Sequence, residues 1–165
     1  MVNALPHDMS LRNCIPEDHA RIIGVMEEWW GGRDLTGMLP RLFLEHFANT
    51  SFVIEKDGAL IGFLIGFLSP ARPREGYIHF VGIHPSWRGI GMGAFLYHRF
   101  FDLCRKNGRD VVRACTSPVN QGSVAFHQRM GFRVSEGNAE MDGIPVTLDY
   151  NGPDDPKMLF EIRIR

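Results

Sequence analysis

Residues 77–93 read YIHFVGIHPSWRGIGMG, and this stretch decides the fold. The segment Tyr77–His84 is typical of a strand, and it runs directly into Pro85. A glycine-rich turn then leads into a long helix that Asn107-Gly108 ends as a C-terminal cap. The apolar residues on one face of this helix are Met92, Leu96, Phe100 and Leu103. The stretch therefore predicts a strand, a glycine turn and a helix that packs on a sheet.

The glycine turn, Arg88 to Gly93, has the features of an anion-binding site. Glycines let the backbone approach a phosphate closely, and the N–H groups at a helix N-terminus carry partial positive charge. The turn is not a P-loop, because it lacks Gly-Lys-Ser/Thr. It is not a complete dinucleotide fingerprint either, because Gly89, Gly91 and Gly93 give only G-x-G-x-G. The turn fits a pyrophosphate, and a glycine turn without a ligand is the alternative at this point.

The rest of the chain predicts one domain over residues 1–165, with strands and helices in mixed order. Lys56-Asp57-Gly58 is typical of a tight turn between two antiparallel strands. The Gly/Pro/Asp-rich segment before the last strand is predicted to be a loop. Further helices are predicted at about 16–30, 38–48 and 120–130, and further strands at 51–56, 60–68, 111–116, 132–134 and 158–164.

The composition is that of an ordinary globular protein, apart from a surplus of glycine. The 165 residues are 44% hydrophobic and 22% charged, and 18 are glycine. A net charge of −1 argues against nucleic-acid binding, which depends on clustered positive charge. The most apolar stretch, residues 59–68, is too short to span a bilayer, and no signal segment is visible. Three widely spaced cysteines suit neither a disulfide framework nor a metal site, so we expect a cytoplasmic protein without a bound metal. Because no segment could span a bilayer, we also expect no membrane contact.

Two motifs together resemble the GNAT superfamily of acetyl-CoA-dependent N-acyltransferases. The first is Ile83-His84-Pro85 followed by Arg88-Gly89-Ile90-Gly91-Met92-Gly93, which matches the family's Arg/Gln-x-x-Gly-x-Gly/Ala signature. The second is Asn120, then Ser123-Val124-Ala125-Phe126, then Gly131-Phe132. The resemblance implies an α/β (mixed α+β) fold with a central, mostly antiparallel sheet of about six or seven strands and about four flanking helices.

The resemblance also implies acetyl-CoA as co-substrate, with no metal. Backbone N–H groups of the glycine turn would hold the pyrophosphate, and the Arg88 side chain would help to close the turn. A splayed central strand would offer backbone groups to the pantetheine, and Gly82 fits a bulge there. Asn120 would contact the pantetheine arm, cap its helix, or do both. The implied cofactor-binding residues are Val81, Gly82, Ile83, Arg88, Gly89, Ile90, Gly91, Met92, Gly93, Asn120, Ser123 and Phe126.

The catalytic residues depart from the family pattern. His127 stands where many members have a tyrosine that protonates the departing thiolate, and a histidine can donate a proton at neutral pH. The alternative is that His127 only packs against its neighbours. Tyr77 stands where some relatives have a glutamate base. Strand alternation puts Tyr77, His79, Val81 and Ile83 on one face, which makes His79 the preferred base.

Other roles for these side chains stay open. A hydrogen-bonded core histidine is the alternative at His79, and Glu75 is an outside candidate for the base. His84, beside Pro85, is predicted to serve the turn.

Acceptor specificity in the family generally comes from the opening helices and the last strands. Here Trp29 and Trp30 would form an aromatic wall, with Glu27 or Glu28 attracting a cationic amine. Arg33 would instead anchor a carboxylate, and Tyr150, next to Asp149, is the candidate in the tail. The alternative for the tryptophans is that they bury a helix end against the sheet.

We therefore expect transfer of an acetyl group from acetyl-CoA to the primary amine of a small molecule or peptide, by direct attack in a ternary complex. No cysteine is placed like a nucleophile, because Cys104 is in a helix and Cys115 in a strand. The alternatives are a catalytically weak acyl-CoA-binding module, an O-acyltransferase and an enzyme that acetylates protein N-termini. A homodimer is possible.

Overall fold

The centre of the molecule is a mixed sheet, seen in a computed structural model that describes residues 4–165. The strands are β1 (Met9–Asn13), β2 (Phe52–Lys56), β3 (Ala59–Leu68), β4 (Glu75–Ile83), β5 (Val111–Thr116), β6 (Arg133–Val134), β7 (Ala139–Met141), β8 (Ile144–Val146) and β9 (Met158–Arg163). Seven of them form one sheet in the order β1-β2-β3-β4-β5-β9-β6, and β7 and β8 form a separate hairpin. Only the β4–β5 pair is parallel among the paired strands of the described residues.

Helices cover both faces of this sheet. They are α1 (Asp18–Trp29), α2 (Leu42–His46), α3 (Met92–Lys106) and α4 (Gln121–Arg129). We call the face covered by α1 the front face and the face covered by α3 the back face. The predicted fold class is confirmed, because the sheet is mixed, mostly antiparallel and seven-stranded, with four α-helices in the described part of the chain.

Each face has its own apolar core. On the back face, Leu96 and Phe100 of α3 are completely buried against the sheet together with Phe160 of β9. On the front face, Ile22 and Met26 of α1 are completely buried. No helix of residues 4–165 is long and apolar enough to cross a membrane.

Two glycines let α3 approach the sheet closely, and a third makes room for the Ile83 side chain of β4. A Cβ at Gly66 would lie 2.6 Å from the Phe100 ring, and one at Gly76 would lie 2.4 Å from the Cys104 sulfur. A Cβ at Gly62 would lie 2.8 Å from the Ile83 side chain and 3.7 Å from Leu96. Such contacts are shorter than carbon atoms tolerate, so part of the glycine surplus sets the depth of α3.

An ion-pair network joins β1, α1 and β2. The Asp18 side chain is 2% exposed, and it accepts from Arg12 at 2.7 and 2.8 Å, from Arg21 at 3.1 Å and from the Ile15 N–H at 2.9 Å. Both arginines also donate to Glu55. Burial alone raises the pKa of Asp18, but these hydrogen bonds outweigh it, so the pKa lies below its ordinary value.

Two segments differ from the sequence prediction. The helix predicted at 38–48 is broken, because Pro40 follows a short 3-10 turn (Thr36–Met38) and leaves only α2. Part of the predicted loop before the last strand is the β7–β8 hairpin, whose turn places Asp142 and Gly143 at φ 51° and 77°. That turn has the same Asp-Gly signature as the turn between β2 and β3.

Candidate functional site

The turn that begins α3 is open and rich in unpaired donors. Gly89 and Gly91 have φ of 78° and 92°, and no atom lies within 4 Å of a Cβ built at Gly89. The first N–H groups of α3 have no partner inside the helix. Ile90 is 47% exposed, whereas Met92 is only 1% exposed as a whole residue, so Ile90 is the accessible one of the two. The open backbone fits the pyrophosphate of a coenzyme.

The Arg88 side chain turns back from this loop onto two backbone carbonyls. Its Nε donates to the Ile83 carbonyl at 3.0 Å, and its Nη2 donates to the Trp29 carbonyl. Ile83 is the last residue of β4, and Trp29 is the last residue of α1. One guanidinium therefore joins the glycine turn, the end of β4 and the end of α1.

The parallel strands β4 and β5 diverge beside this turn. Their pairing begins at Glu75 and Val111 and ends at Ile78 and Ala114. Both strands continue beyond this point, β4 to Ile83 and β5 to Thr116. A wedge-shaped gap therefore opens in the sheet, with its closed end at the Ile78–Ala114 pair and its open end near the start of α3.

Backbone groups of β4 face the gap at alternate residues. The His84 N–H donates to the Ile61 carbonyl of β3. Gly82 is paired with Phe63 in the same register, so the backbone groups of Gly82 also face β3. Alternation directs the N–H groups of Val81 and Ile83 to the opposite edge, where β5 no longer pairs. Val81 therefore offers both an N–H and a C=O to an extended ligand, and Ile83 offers its N–H.

Gly82 does not fill the role expected for it. Its backbone groups point to β3, and the bulge in β4 lies elsewhere. A Cβ at Gly82 would lie 2.5 Å from the Phe63 ring and 2.7 Å from the Trp30 ring. The residue is glycine because two aromatic rings cross the strand at this point.

The bulge lies at His79. Ile65 pairs with Phe80, whereas Gly66 pairs with Ile78, so His79 is the extra residue. The bulge reverses the alternation of side chains along β4. The prediction that Tyr77, His79, Val81 and Ile83 share one face is therefore wrong. Tyr77 and His79 lie on the front face, whereas Val81 and Ile83 pack against the back-face core.

His79 is held firmly by its surroundings. Its Nε2 donates to the Met38 carbonyl at 2.6 Å, and its ring stacks on Phe43 with centroids 4.3 Å apart. The donated hydrogen fixes the neutral tautomer, so Nδ1 keeps a lone pair that no described residue engages. Burial lowers the pKa of His79, which favours the neutral ring.

Tyr77 lies on the same face, two residues before His79, where β4 still pairs with β5. Its ring stacks on Phe67 with centroids 5.4 Å apart. Burial raises the pKa of Tyr77, and the neighbouring Cys115 and Tyr150 raise it further. The phenol is therefore neutral at physiological pH, which suits a wall or a hydrogen-bond donor better than a base.

His127 is buried in the back-face core and is 4% exposed. Its Nδ1 donates to the Ser123 carbonyl at 2.8 Å, so its Nε2 accepts from the Tyr97 hydroxyl at 3.0 Å. The ring stacks on Phe160 with centroids 4.6 Å apart and planes at 9°. Burial lowers the pKa of His127. This geometry favours the packing alternative over the proton donor.

The middle of α4 lies beside the start of α3. The Asn120 side-chain oxygen accepts from the Ser123 N–H at 3.2 Å and so caps α4. Phe126 lies 3.4 Å from a Cβ built at Gly93. The two motifs of the sequence therefore meet at the start of α3.

The acceptor candidates of the opening segment do not form one site. Trp29 is 3% exposed and stacks on Phe63, while Trp30 packs on Phe63 and Phe80. The tryptophans bury the end of α1, as the alternative reading held. Glu27 and Glu28 are exposed in the last turn of α1, and Arg33 is exposed in the segment that follows it.

Two other candidates have structural partners. The Glu75 carboxylate pairs with Arg113 at 2.9 Å and with Arg72 at 3.6 Å, so it is not a free base. The His84 Nδ1 accepts from the Ser86 N–H at 3.1 Å and serves the turn after β4.

A front-face cavity of about 380 Å³ adjoins the closed end of the gap. Tyr77 and the half-exposed Tyr150 line it, together with Phe67, Arg72 and Arg113, which the sequence reasoning missed. The alternation of residues in the strand VVRACT predicts that Arg113 lies on the opposite face from Val112. Its position beside Tyr77, however, follows only from the pairing of β4 with β5.

Comparison with known proteins points to one family. A model of the acetyltransferase (GNAT) family matches residues 16–132. The L-2,4-diaminobutyric acid acetyltransferase of Nocardia farcinica is 33% identical over 85 residues, which cover 52% of this chain and 44% of that protein. The chain spans about half the length of the curated relatives that it matches in this way.

Two solved structures share the fold. Ard1 from Thermoplasma volcanium superposes with a TM-score of 0.76 at 18% identity, covering 96% of this chain and 99% of that one. The diaminobutyrate acetyltransferase EctA from Paenibacillus lautus, solved with L-2,4-diaminobutyric acid and coenzyme A, superposes with a TM-score of 0.64 at 20% identity, covering 94% and 95%. At these identities the likeness concerns the fold alone.

Proposed function

Because the chain belongs to the GNAT family of acetyltransferases, we propose that it transfers the acetyl group of acetyl-CoA to the primary amine of a small molecule by direct attack. The observation that supports this most is the gap between β4 and β5. It begins beside the open glycine turn and ends at a cavity on the front face. A coenzyme and an acceptor can thus approach one point from opposite sides of the sheet.

The residues around the gap fit the coenzyme. The N–H groups from Gly89 to Gly93 would hold the pyrophosphate, because the N–H of Arg88 already donates to the Pro85 carbonyl, and the free backbone groups of Val81 and Ile83 would pair with the pantetheine arm. When bound, acetyl-CoA supplies an acetyl group activated as a thioester. Asn120, which caps α4, and Phe126, in the middle of α4, would flank the arm on the side of α3.

His79 would accept the proton of the attacking amine. Its Nδ1 has a free lone pair, its ring is held by Met38 and Phe43, and its lowered pKa keeps it neutral. It lies in the bulge, one residue beyond the closed end of the gap. Because His127 is enclosed and engaged at both nitrogens, we assign the proton of the departing thiolate to water.

Direct attack suits the cysteines as the structure places them. Cys104 is on the buried face of α3, and Cys115 lies beside Tyr77. Burial raises the pKa of both thiols, so neither is poised as a thiolate nucleophile. The acetyl group would therefore pass directly to the amine, without a covalent acetyl-enzyme intermediate.

A small acceptor fits the cavity. Its volume of about 380 Å³ is at the lower end of small-molecule pockets. Side chains of both charge signs line it, namely Arg72, Arg113 and Glu75. An amine that also bears a carboxylate matches this lining.

The test is thiol release from acetyl-CoA over a panel of amines, with the products identified by mass. The panel contains diamines, amino acids and peptides with free N-termini. We expect turnover with at least one small amine and strong loss of it in His79→Gln. His98→Gln, at an exposed position of α3, is the matched control.

The second candidate is a catalytically weak acyl-CoA-binding module, which the enclosure of His127 favours. Calorimetric titration with coenzyme A separates the two functions. Tight coenzyme binding with no turnover of any amine in the panel would overturn the proposed transfer and support the module.

A further inference from the structure

A second cavity of about 240 Å³ continues the first one along the front face. Glu75 and Arg113 line both cavities, so the two cavities form one continuous groove. The second cavity is also lined by Arg74, Glu161 and Arg163. The groove runs from Tyr77 toward the beginning of β4 and β5. It thus leads away from the closed end of the gap, on the acceptor side of the sheet.

The charge of the groove differs from that of the whole chain. Four arginines line the two cavities, namely Arg72, Arg74, Arg113 and Arg163, against the two glutamates Glu75 and Glu161. The groove therefore has an excess of two positive charges in a chain whose net charge is −1. Asp110 pairs with Arg74 and Arg133 pairs with Glu161 at the edges of this groove, so the excess of two positive charges stays when both neighbours are counted, and an anion would be attracted.

The pairing of these arginines leaves room for a ligand. Arg163 is exposed and has no ion pair among residues 4–165. Arg72 reaches Glu75 only at 3.6 Å and is 65% exposed. Arg113 is shared between Glu75 and Glu161, and its Nε lies 2.9 Å from Glu75 without an aligned hydrogen bond. A guanidinium that is free or loosely held can bind a carboxylate with two hydrogen bonds.

We propose that the groove is an anion subsite of the acceptor, so that the natural acceptor is a primary amine with a carboxylate at its other end. This inference rests on the proposed function, because it takes the amine to react beside His79. Along β4, the Tyr77–Arg113 pair lies two residues before His79, and Glu75 lies two residues before Tyr77. At about 3.3 Å per residue, the carboxylate lies about 7–13 Å from the amine.

The test compares ω-amino carboxylates with the corresponding amides. The probes are 3-aminopropanoate, 5-aminopentanoate and 7-aminoheptanoate, each against its neutral amide, in the presence of coenzyme A. Calorimetry gives the dissociation constants, and thiol release gives KM. We expect the carboxylate to bind about tenfold more tightly than the amide for the longer probes, and no such preference for the shortest one.

Variants assign the preference to the groove. Arg163→Gln and Arg72→Gln should each reduce the preference severalfold, and added salt should reduce it further because these groups are exposed. Arg129→Gln, at an exposed arginine of α4, is the control and should leave it unchanged. Equal binding of carboxylate and amide, or equal effects of Arg163→Gln and Arg129→Gln, would overturn the subsite.

The two proposals fail in different ways. If no amine is turned over, the proposed transfer fails, while the calorimetric comparison still decides the subsite. If amines are turned over with the same KM for carboxylate and amide, the transfer stands and the subsite fails.

Discussion

The guanidinium of Arg88 donates to the backbone carbonyl of Trp29, 59 residues earlier in the chain. A side chain from the coenzyme turn thus fixes the end of the helix that covers the front face. The coenzyme turn and the end of α1, where Trp30 packs on Phe80 beside His79, share this one residue.

Arg88→Gln should therefore weaken the use of both substrates. The shorter neutral side chain cannot reach the Ile83 and Trp29 carbonyls together, and hydrogen bonds from a charged donor contribute about 1.5–3 kcal/mol. We expect KM for acetyl-CoA and KM for the amine each to rise about fivefold or more in steady-state kinetics. Arg99→Gln, at an exposed site on α3, should change neither, and a rise confined to acetyl-CoA would limit Arg88 to the coenzyme turn.

His79→Gln should remove the acid limb of the pH profile. In the native protein kcat should rise with pH through the pKa of His79, which burial places below its ordinary value of 6.5, because only the neutral ring accepts a proton. Without the ring, kcat should fall about 100-fold and lose this limb. The measurement is kcat between pH 5 and 9, with His98→Gln as control. An unchanged limb in His79→Gln would assign it to another group.

His127→Phe should lower stability and leave catalysis intact. The Tyr97 hydroxyl would lose its acceptor inside the core, which costs about 1–3 kcal/mol. Tyr97→Phe with His127→Phe removes both partners, so the pair should cost less than the sum of the single changes. Urea unfolding gives the stabilities, and kcat should stay within twofold. A 100-fold loss of kcat in a folded His127→Phe protein would restore His127 as the acid.

Stability should decline as the pH falls below about 6.5. Burial lowers the pKa of His79 and His127 from 6.5, so the unfolded chain binds more protons than the folded one in this range. The contribution is present in full above pH 6.5 and is lost as the pH falls toward the lowered values. Unfolding by urea between pH 5 and 8 measures it, and His127→Phe should show a shallower decline. A flat profile in the native protein would contradict the burial of these rings.

Asp18→Asn should destabilise the fold without touching the site. Removing one partner from a fully buried ion pair costs about 3–5 kcal/mol, and the cost here is smaller because Arg12 is 34% exposed and keeps Glu55 as a partner. We expect a clear drop in the free energy of unfolding, with kcat unchanged in the folded fraction. Asp102→Asn breaks the exposed pair with Arg105 and should cost less than about 1 kcal/mol.

The sequence was sufficient where one local signal determines the structure. Gly91, at φ 92°, precedes the first residue of α3 inside the predicted glycine turn, and Asn120 caps α4 as expected. The strand Val111–Thr116 is confirmed at both ends. At each of these positions a single residue type satisfies a backbone requirement, so pattern and structure agree.

The sequence was insufficient where strand pairing determines the structure. The bulge at His79 depends on how β4 meets β3, and neither Ile78 nor Phe80 signals it. The groove likewise depends on Arg113 pairing beside Tyr77. The β7–β8 turn is a different case. Asp142-Gly143 has the same hairpin signal as Asp57-Gly58, although the composition of the segment predicts a loop there.

The glycines beneath α3 link the far end of the sheet to the chemistry. A methyl group at Gly66 or Gly76 would force Phe100 and Cys104 outward, and α3 would have to rise or tilt with them. The same helix begins at the turn that would hold the pyrophosphate, so its tilt would displace the thioester along the gap. The reach of the acetyl group is therefore set partly by residues outside both substrate sites, and substitutions there should alter kcat before they alter binding.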